Sequence, residues 1–216
     1  MNTRKMLFTL VTLLIQCLGI AWLIWRYENI VRNGTEVRFR CEAYDPYDPL
    51  RGRYLNTTVR ETCTALSPDL ALREEELRHP RKKIYVKLEP GTNGLWRVAS
   101  ATTQPQLEGV WIKPSHTRFR HQVDWGDRGK DEPFETFKGR RKLSPLVAEV
   151  DMPGILFVNE RIAPKAEKVL REATSAKGKG AVAVYRVKNK EIVLTDIEIE
   201  GKSLLNGIKS LETKNR

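Results

Sequence analysis

The sequence predicts a mainly β protein, with antiparallel strands in a barrel- or sandwich-like arrangement, one packed amphipathic helix and an N-terminal transmembrane helix. Three observations predict it. Residues 6–25 form an uncharged apolar stretch, short alternating segments recur between turn residues, and one later segment carries apolar residues at helical spacing. Since 40% of the residues are hydrophobic, the chain after the apolar stretch can bury a core.

The apolar stretch reads MLFTLVTLLIQCLGIAWLIW. About 20 helical residues rise roughly 30 Å, which is the hydrocarbon thickness of a bilayer. Trp22, Trp25 and Tyr27 collect at its end, where aromatic side chains favour the headgroup layer. A cleaved signal peptide is the alternative, because basic residues precede the stretch. The stretch is longer than the usual signal and large aromatic residues follow it, so we expect an uncleaved signal anchor.

The chain is expected to divide around this anchor. Local counting of basic residues slightly favours a chain whose N-terminus lies outside the cytoplasm, but long domains often translocate regardless of such counts. We therefore place the N-terminus inside and the bulk of the chain outside the cytoplasm. The predicted segments are a cytoplasmic N-terminus (1–5), the anchor (6–25), a stalk (26–35), a β-rich extracytoplasmic domain (36–201) and a polar tail (202–216) that frays.

A strand is predicted at residues 36–44, and a forced turn follows it. Two Asp-Pro pairs cannot continue a strand, and the glycine after them adopts a positive φ cheaply. We interpret this turn as either a structural feature or a contact site. Its candidate residues are Asp45, Pro46, Asp48, Pro49, Arg51, Gly52 and Tyr54.

Cys41 and Cys63 lie in the predicted strands on either side of this turn. An even pair of cysteines in an oxidising compartment can form a disulfide, and strands flanking one turn could bring the two together. Two buried free thiols are the alternative.

The remaining elements follow from alternation and turn residues. Further strands are predicted at residues 53–63, 83–88, 95–102, 109–113, 146–150 and 155–158, and a hairpin at 181–187 and 191–199 turns about residues 188–190. A short helix is predicted at 67–79. A second helix starts at Pro164, and its apolar stripe of Ala166, Val169, Leu170 and Ala173 is expected to pack on the sheet.

Residues 115–145 lose periodicity and gain charge, so they are predicted to form a long exposed loop in which basic residues predominate. His116, His121 and Asp124 match no ordinary metal-ligand spacing, and we predict neither a metal site nor a cofactor. The net charge of +11 makes an anionic envelope polymer a conceivable ligand of this loop. The chain carries no recognisable nucleic-acid-binding motif.

The run from Asp45 to Asn56 resembles the signature of the GDYXXLXY family of bacterial membrane-anchored proteins. Gly52 and Tyr54 are the naming residues that remain. Residues 83–88 and 96–98 are similar to the family's next strands, and Gly154–Val158 is similar to its later Tyr-Gly-Ile-x-x-(Phe/Tyr)-Phe-Val segment. The resemblance implies a topology, a bacterial inner (cytoplasmic) membrane location with a periplasmic domain, and no catalytic mechanism.

No motif for nucleophilic catalysis, phosphate binding or metal hydrolysis is recognisable in the sequence. We therefore expect a non-catalytic, single-pass envelope protein that binds a membrane-protein partner as an accessory subunit. Two alternatives remain, an envelope hydrolase and a protein that binds an anionic polymer through the basic loop.

Overall fold

The computed structural model describes residues 3–43, 54–63, 65–67, 70, 83–91, 93–124, 142–159, 161–175 and 180–208. Its helices and strands, numbered in chain order, are α1 (Thr3–Asn33), β1 (Thr35–Ala43), β2 (Tyr54–Thr58), β3 (Arg60–Cys63), β4 (Tyr85–Pro90), β5 (Trp96–Thr102), β6 (Val110–Ile112), β7 (His116–Asp124), β8 (Lys142–Asp151), β9 (Ile155–Phe157), α2 (Ala163–Thr174), β10 (Ala181–Lys188), β11 (Glu191–Ile199) and β12 (Lys202–Ser203).

The strands form three sheets. A curled, half-barrel sheet has the order β12-β11-β10-β1-β2-β9, and two three-stranded sheets have the orders β3-β8-β7 and β5-β4-β6. Every pair of these strands is antiparallel. The predicted class, mainly antiparallel β with a packed helix and a long apolar N-terminal helix, is confirmed.

The core is one cluster to which all three sheets and α2 contribute buried residues. Along β1, Val37, Phe39 and Cys41 are buried, as alternation predicted. The Phe39 ring meets the buried Tyr185 ring edge to face, with 6.0 Å between centroids. From α2, Ala166 and Leu170 of the predicted stripe join this core, whereas Val169 is 40% exposed, so the stripe is confirmed only in part.

The hairpin predicted at residues 181–199 is present as β10 and β11. Its turn residues Asn189 and Lys190 both have positive φ, 52° and 67°. Two such residues make the primed turn that matches the twist of paired strands. Asn189 tolerates this conformation because its short polar side chain can bond locally.

The predicted strand at residues 53–63 is divided in the structure. β2 belongs to the six-stranded sheet and β3 to the sheet of β7 and β8, with buried Val59 between them. The segment that pairs with these strands also changes sheets. β8 pairs with β3 and β9 pairs with β2, and the predicted interruption at Met152–Gly154 separates β8 from β9. The Met152 amide donates to the Val59 carbonyl over 3.2 Å, so the two crossings brace each other.

The predicted stalk is wrong. α1 runs without a break to Asn33, and its last two turns pack on β10 and β11. Ile30 is only 6% exposed there. The sequence suggested a stalk because residues 26–35 are mostly polar, but one apolar residue per helical turn is enough to dock the helix end.

The predicted charged loop at 115–145 is also wrong at both ends, since β7 covers 116–124 and β8 begins at Lys142. Phe119 is buried while Arg118 and Arg120 lie outside. These arginines pair with Asp151 and Glu149 of β8, at 3.9 and 3.4 Å. Cross-strand ion pairs therefore replace the apolar alternation that marks a strand in sequence.

The predicted fraying of the tail is wrong for residues 202–208. β12 pairs with the end of β11, and a helical turn at 204–208 follows. Leu204 and Ile208 are buried in the core, four residues apart on one face of this turn. A few apolar residues in a polar context are a weak sequence signal, and tertiary packing decided their place.

Candidate functional site

The predicted contact turn lies outside the described residues, together with its candidates Asp45, Pro46, Asp48, Pro49, Arg51 and Gly52. The strands on either side of it pair antiparallel, with Ala43 opposite Thr57. The remaining candidate, Tyr54, begins β2 and lies opposite Phe157 of β9 in the register. The motif therefore leads directly into the β2–β9 pair.

β9 presents an apolar outer face. It lies at the end of the six-stranded sheet, and its central residue Leu156 is buried. The flanking Ile155 and Phe157 are 42% and 77% exposed. Most strand positions that face water are polar, so two large apolar side chains on one edge strand indicate a contact surface.

Backbone contacts hold β9 firmly against the sheet. The Gly154 carbonyl accepts from both the amide and the hydroxyl of Thr57, at 2.8 and 3.2 Å. The Pro153 carbonyl accepts from the buried Tyr185 hydroxyl at 2.9 Å. The segment before β9 is thus bonded to β2 on one side and to β10 on the other, so Ile155 and Phe157 are held on a rigid support.

Position 154 has no room for a side chain, so glycine is required there. A Cβ built on it would run into the Thr57 carbonyl oxygen and come within 3.3 Å of the Asn56 side-chain oxygen. The absence of a side chain lets the two backbones approach closely, which sets the position of β9 against β2.

Cys41 and Cys63 are free buried thiols in the structure, and the predicted bridge between them is not formed. Cys41 belongs to the six-stranded sheet, whereas Cys63 belongs to the β3-β8-β7 sheet. The Cys63 sulfur lies 3.4 Å from the carbonyl oxygens of Ala65 and Ala99. The strand division at Val59 thus sends the two cysteines into different sheets.

The surroundings of both thiols suppress the reactive thiolate. Burial, and secondly the charge of Glu42, raises the pKa of Cys41 to about 12. Burial also raises the pKa of Cys63. A thiol with a raised pKa is a poor nucleophile and a poor metal ligand at neutral pH.

The described histidine and acidic side chains do not converge on a metal site. In the part of the chain that the structure describes, no group of three or more His, Cys, Asp or Glu residues could hold an ion. His116 is exposed at the start of β7, and nothing is described of the side chains of His121 and Asp124.

A comparison with protein families decides what kind of chain this is. The family model described as GDYXXLXY protein matches residues 16–197, which is most of the chain. The chain belongs to the GDYXXLXY family. The match begins inside α1, so the GDYXXLXY model takes in part of the apolar helix as well as the β domain. No curated protein matches the chain, and no solved structure does.

The fold brings together two segments on which the GDYXXLXY resemblance rests. The run that ends at Asn56 and the segment Gly154–Val158 form the β2–β9 pair. The sequence predicts a strand that contains Ile155 and Phe157, but it does not identify them as surface residues. Four consecutive apolar residues, Ile155 to Val158, give no sign of which face is buried, so only the sheet could show it.

Proposed function

We propose that this protein is a non-catalytic, single-pass anchored protein of the bacterial inner membrane, whose periplasmic domain binds a membrane-protein partner through the outer face of β9. The observation that carries the proposal is the exposure of Ile155 and Phe157 on a rigidly held edge strand. Large aromatic residues on well-ordered surfaces are frequent hot spots of protein interfaces. A preorganised surface also loses little entropy on binding.

The membrane anchor supports a partner in the same membrane. α1 contains a candidate membrane span, Met6–Asn33, that is long enough to cross a bilayer. Because α1 packs directly on β10 and β11, the β domain is held at a set position relative to that span. Two proteins confined to one membrane meet at a high effective concentration, so a small surface such as β9 is sufficient.

The alternatives have weaker support. For an envelope hydrolase, the buried thiols with raised pKa are unsuited to nucleophilic attack. For an anionic polymer, Arg118 and Arg120 of the basic segment are already neutralised in part by Asp151 and Glu149. Partner binding through β9 therefore explains more of the described surface.

Photocrosslinking in living cells tests the proposal. The photoreactive residue p-benzoylphenylalanine replaces Phe157 in the full chain and, as a matched control, Val169, which is 40% exposed on α2. We expect one discrete protein adduct from position 157 and none from position 169. No adduct at 157, or the same adducts from both positions, would refute partner binding at β9. The replacement keeps the aromatic ring of Phe157 and adds a benzoyl group at a position that is 77% exposed, so the added group needs no space in the core.

A second measurement separates the hydrolase alternative. Broad serine- and cysteine-directed activity probes are applied to the purified full chain in detergent. We expect no labelling above that of heat-denatured protein. Labelling of one serine in the native protein, lost on denaturation, would establish the hydrolase instead.

A further inference from the structure

A groove lies where α1 leaves its apolar span and meets the β10–β11 hairpin. It has a volume of about 650 Å³. Its apolar wall includes Leu23 and Ile30 of α1 and Ile192 of β11, and its rim carries Arg26, Lys113 and Lys190. We call it the juxtamembrane groove.

Polar contacts hold the hairpin against the helix. The Arg26 guanidinium binds the Glu191 carboxylate through two nitrogens. The Lys188 ammonium donates to the Asn29 side-chain oxygen over 2.8 Å. The Lys113 amide donates to the Lys190 carbonyl, also over 2.8 Å. The groove walls are therefore preformed and rigid.

The hairpin reaches back toward the apolar span. Arg26 precedes the helix end at Asn33 by two turns, a rise of about 10 Å. Arg26 is also the first charged residue after the apolar stretch, and its guanidinium lies 5.4 Å from the centre of the Trp22 ring. Aromatic and basic side chains together mark the headgroup layer. The groove thus opens at the level where lipid phosphates lie.

The lining has two chemical parts that suit an amphiphile. The lining contains three cationic residues and one carboxylate, that of Glu191, which already binds Arg26. The Lys190 ammonium lies 5.4 Å from the centre of the Tyr85 ring. Among the described residues, Lys113 has no acidic partner. Leu23 continues the apolar wall directly into the membrane-facing side of α1. A phosphate would meet the cations while an acyl chain follows Leu23 into the hydrocarbon.

We propose that the juxtamembrane groove binds the headgroup of an anionic phospholipid, with Lys113 and Lys190 contacting the phosphate. The proposal rests on the anchored topology proposed above but not on the partner at β9. Each basic residue close to an anionic membrane surface contributes roughly fivefold to its attraction. The volume lies within the range of small-ligand sites.

The test uses the full-length protein reconstituted in vesicles with spin-labelled phosphatidylglycerol or phosphatidylcholine. The motionally restricted fraction of each lipid gives the preference of the protein for the anionic lipid. We expect a preference of about fivefold or more, and the variant Lys113→Gln/Lys190→Gln should lower it to near one. The matched control, Lys168→Gln/Lys202→Gln, removes the same charge from exposed positions on α2 and beside the far end of β11, and should leave the preference unchanged.

Each contrary result has a definite meaning. No preference in the wild type, or an equal loss in the control variant, would overturn the proposal. Loss of the preference on adding millimolar inorganic phosphate would show that the groove takes the free anion instead. Failure of the protein to float with the vesicles would instead refute the anchor, and the crosslink at position 157 tests the partner independently.

Discussion

At Gly154 the backbone before β9 touches the backbone of β2 so closely that no side chain fits between them. We predict that Gly154→Ala lowers the free energy of unfolding by about 1–3 kcal/mol, the usual cost of overpacking. The matched control is Gly207→Ala, where a Cβ meets nothing within 4 Å and the residue is helical. Chemical denaturation of both variants checks this, and equal stabilities would contradict the close approach.

Cys41 and Tyr185 make the fold sensitive to alkali. Burial raises the pKa of Cys41 to about 12, and burial together with the nearby Cys41 raises the pKa of Tyr185. The unfolded thiol loses its proton near its ordinary pKa of 9.0, whereas the folded one keeps it until about pH 12. The stabilisation is therefore complete below pH 9 and is lost as the pH rises from there toward 12.

The replacement Cys41→Ala removes one of these two groups. We expect the variant to lose less stability than the wild type between about pH 8 and about pH 11, although its stability at the lower pH is reduced because a cavity forms. Thermal unfolding at several pH values measures both effects. Parallel pH profiles for the two proteins would show that Cys41 does not titrate with unfolding.

At the scale of elements, the docking of α1 is the feature that departs most from expectation. A stalk and a docked helix predict different effects for Ile30→Ala. Because Ile30 is buried against the hairpin, we expect the variant to lower domain stability by about 2 kcal/mol or more. The control Ile24→Ala changes the same residue type at a position that is 59% exposed in the apolar span.

Protease resistance and thermal unfolding in mild detergent measure this difference. An effect confined to Ile30→Ala supports the docked helix. Equal stability and protease resistance of the two variants would contradict the docked helix and support the predicted stalk.

At the scale of the whole molecule, the long apolar helix is the feature that we propose anchors the β domain to a membrane. We predict that the protein stays in the membrane fraction after alkaline carbonate washing. Its intact mass should be that of a chain that begins at or near Met1. The physical reason is the length of the uncharged stretch, which has no small-residue cleavage site at its end. Protease added to spheroplasts should digest the β domain if it is periplasmic.

A variant with Ile15→Lys and Leu18→Lys serves as the control. Charged residues at the centre of a span cost several kcal/mol, so this variant should appear in the washed supernatant. A wild-type product that is soluble and begins after residue 25 would show that the stretch is a cleaved signal.

Local features of the sequence were sufficient to predict the apolar helix, the amphipathic helix α2 with buried Ala166 and Leu170, the hairpin turn at Asn189 and Lys190, and the predominance of antiparallel strands. Each depends on residues close together in the chain, through length, periodicity or a preferred φ. The family resemblance was also visible in short segments such as Gly154–Val158, and the family match covers most of the chain.

Features that depend on distant residues became visible only in the folded chain. Folding divided the strand at Val59, sent Cys41 and Cys63 to different sheets, turned Phe157 outward, and docked α1 on the hairpin. The physical reason is that strand register and helix docking are set by the sum of non-local contacts, and a change of one residue in register reverses the buried face. The contact surface at β9 and the juxtamembrane groove both arise from such contacts.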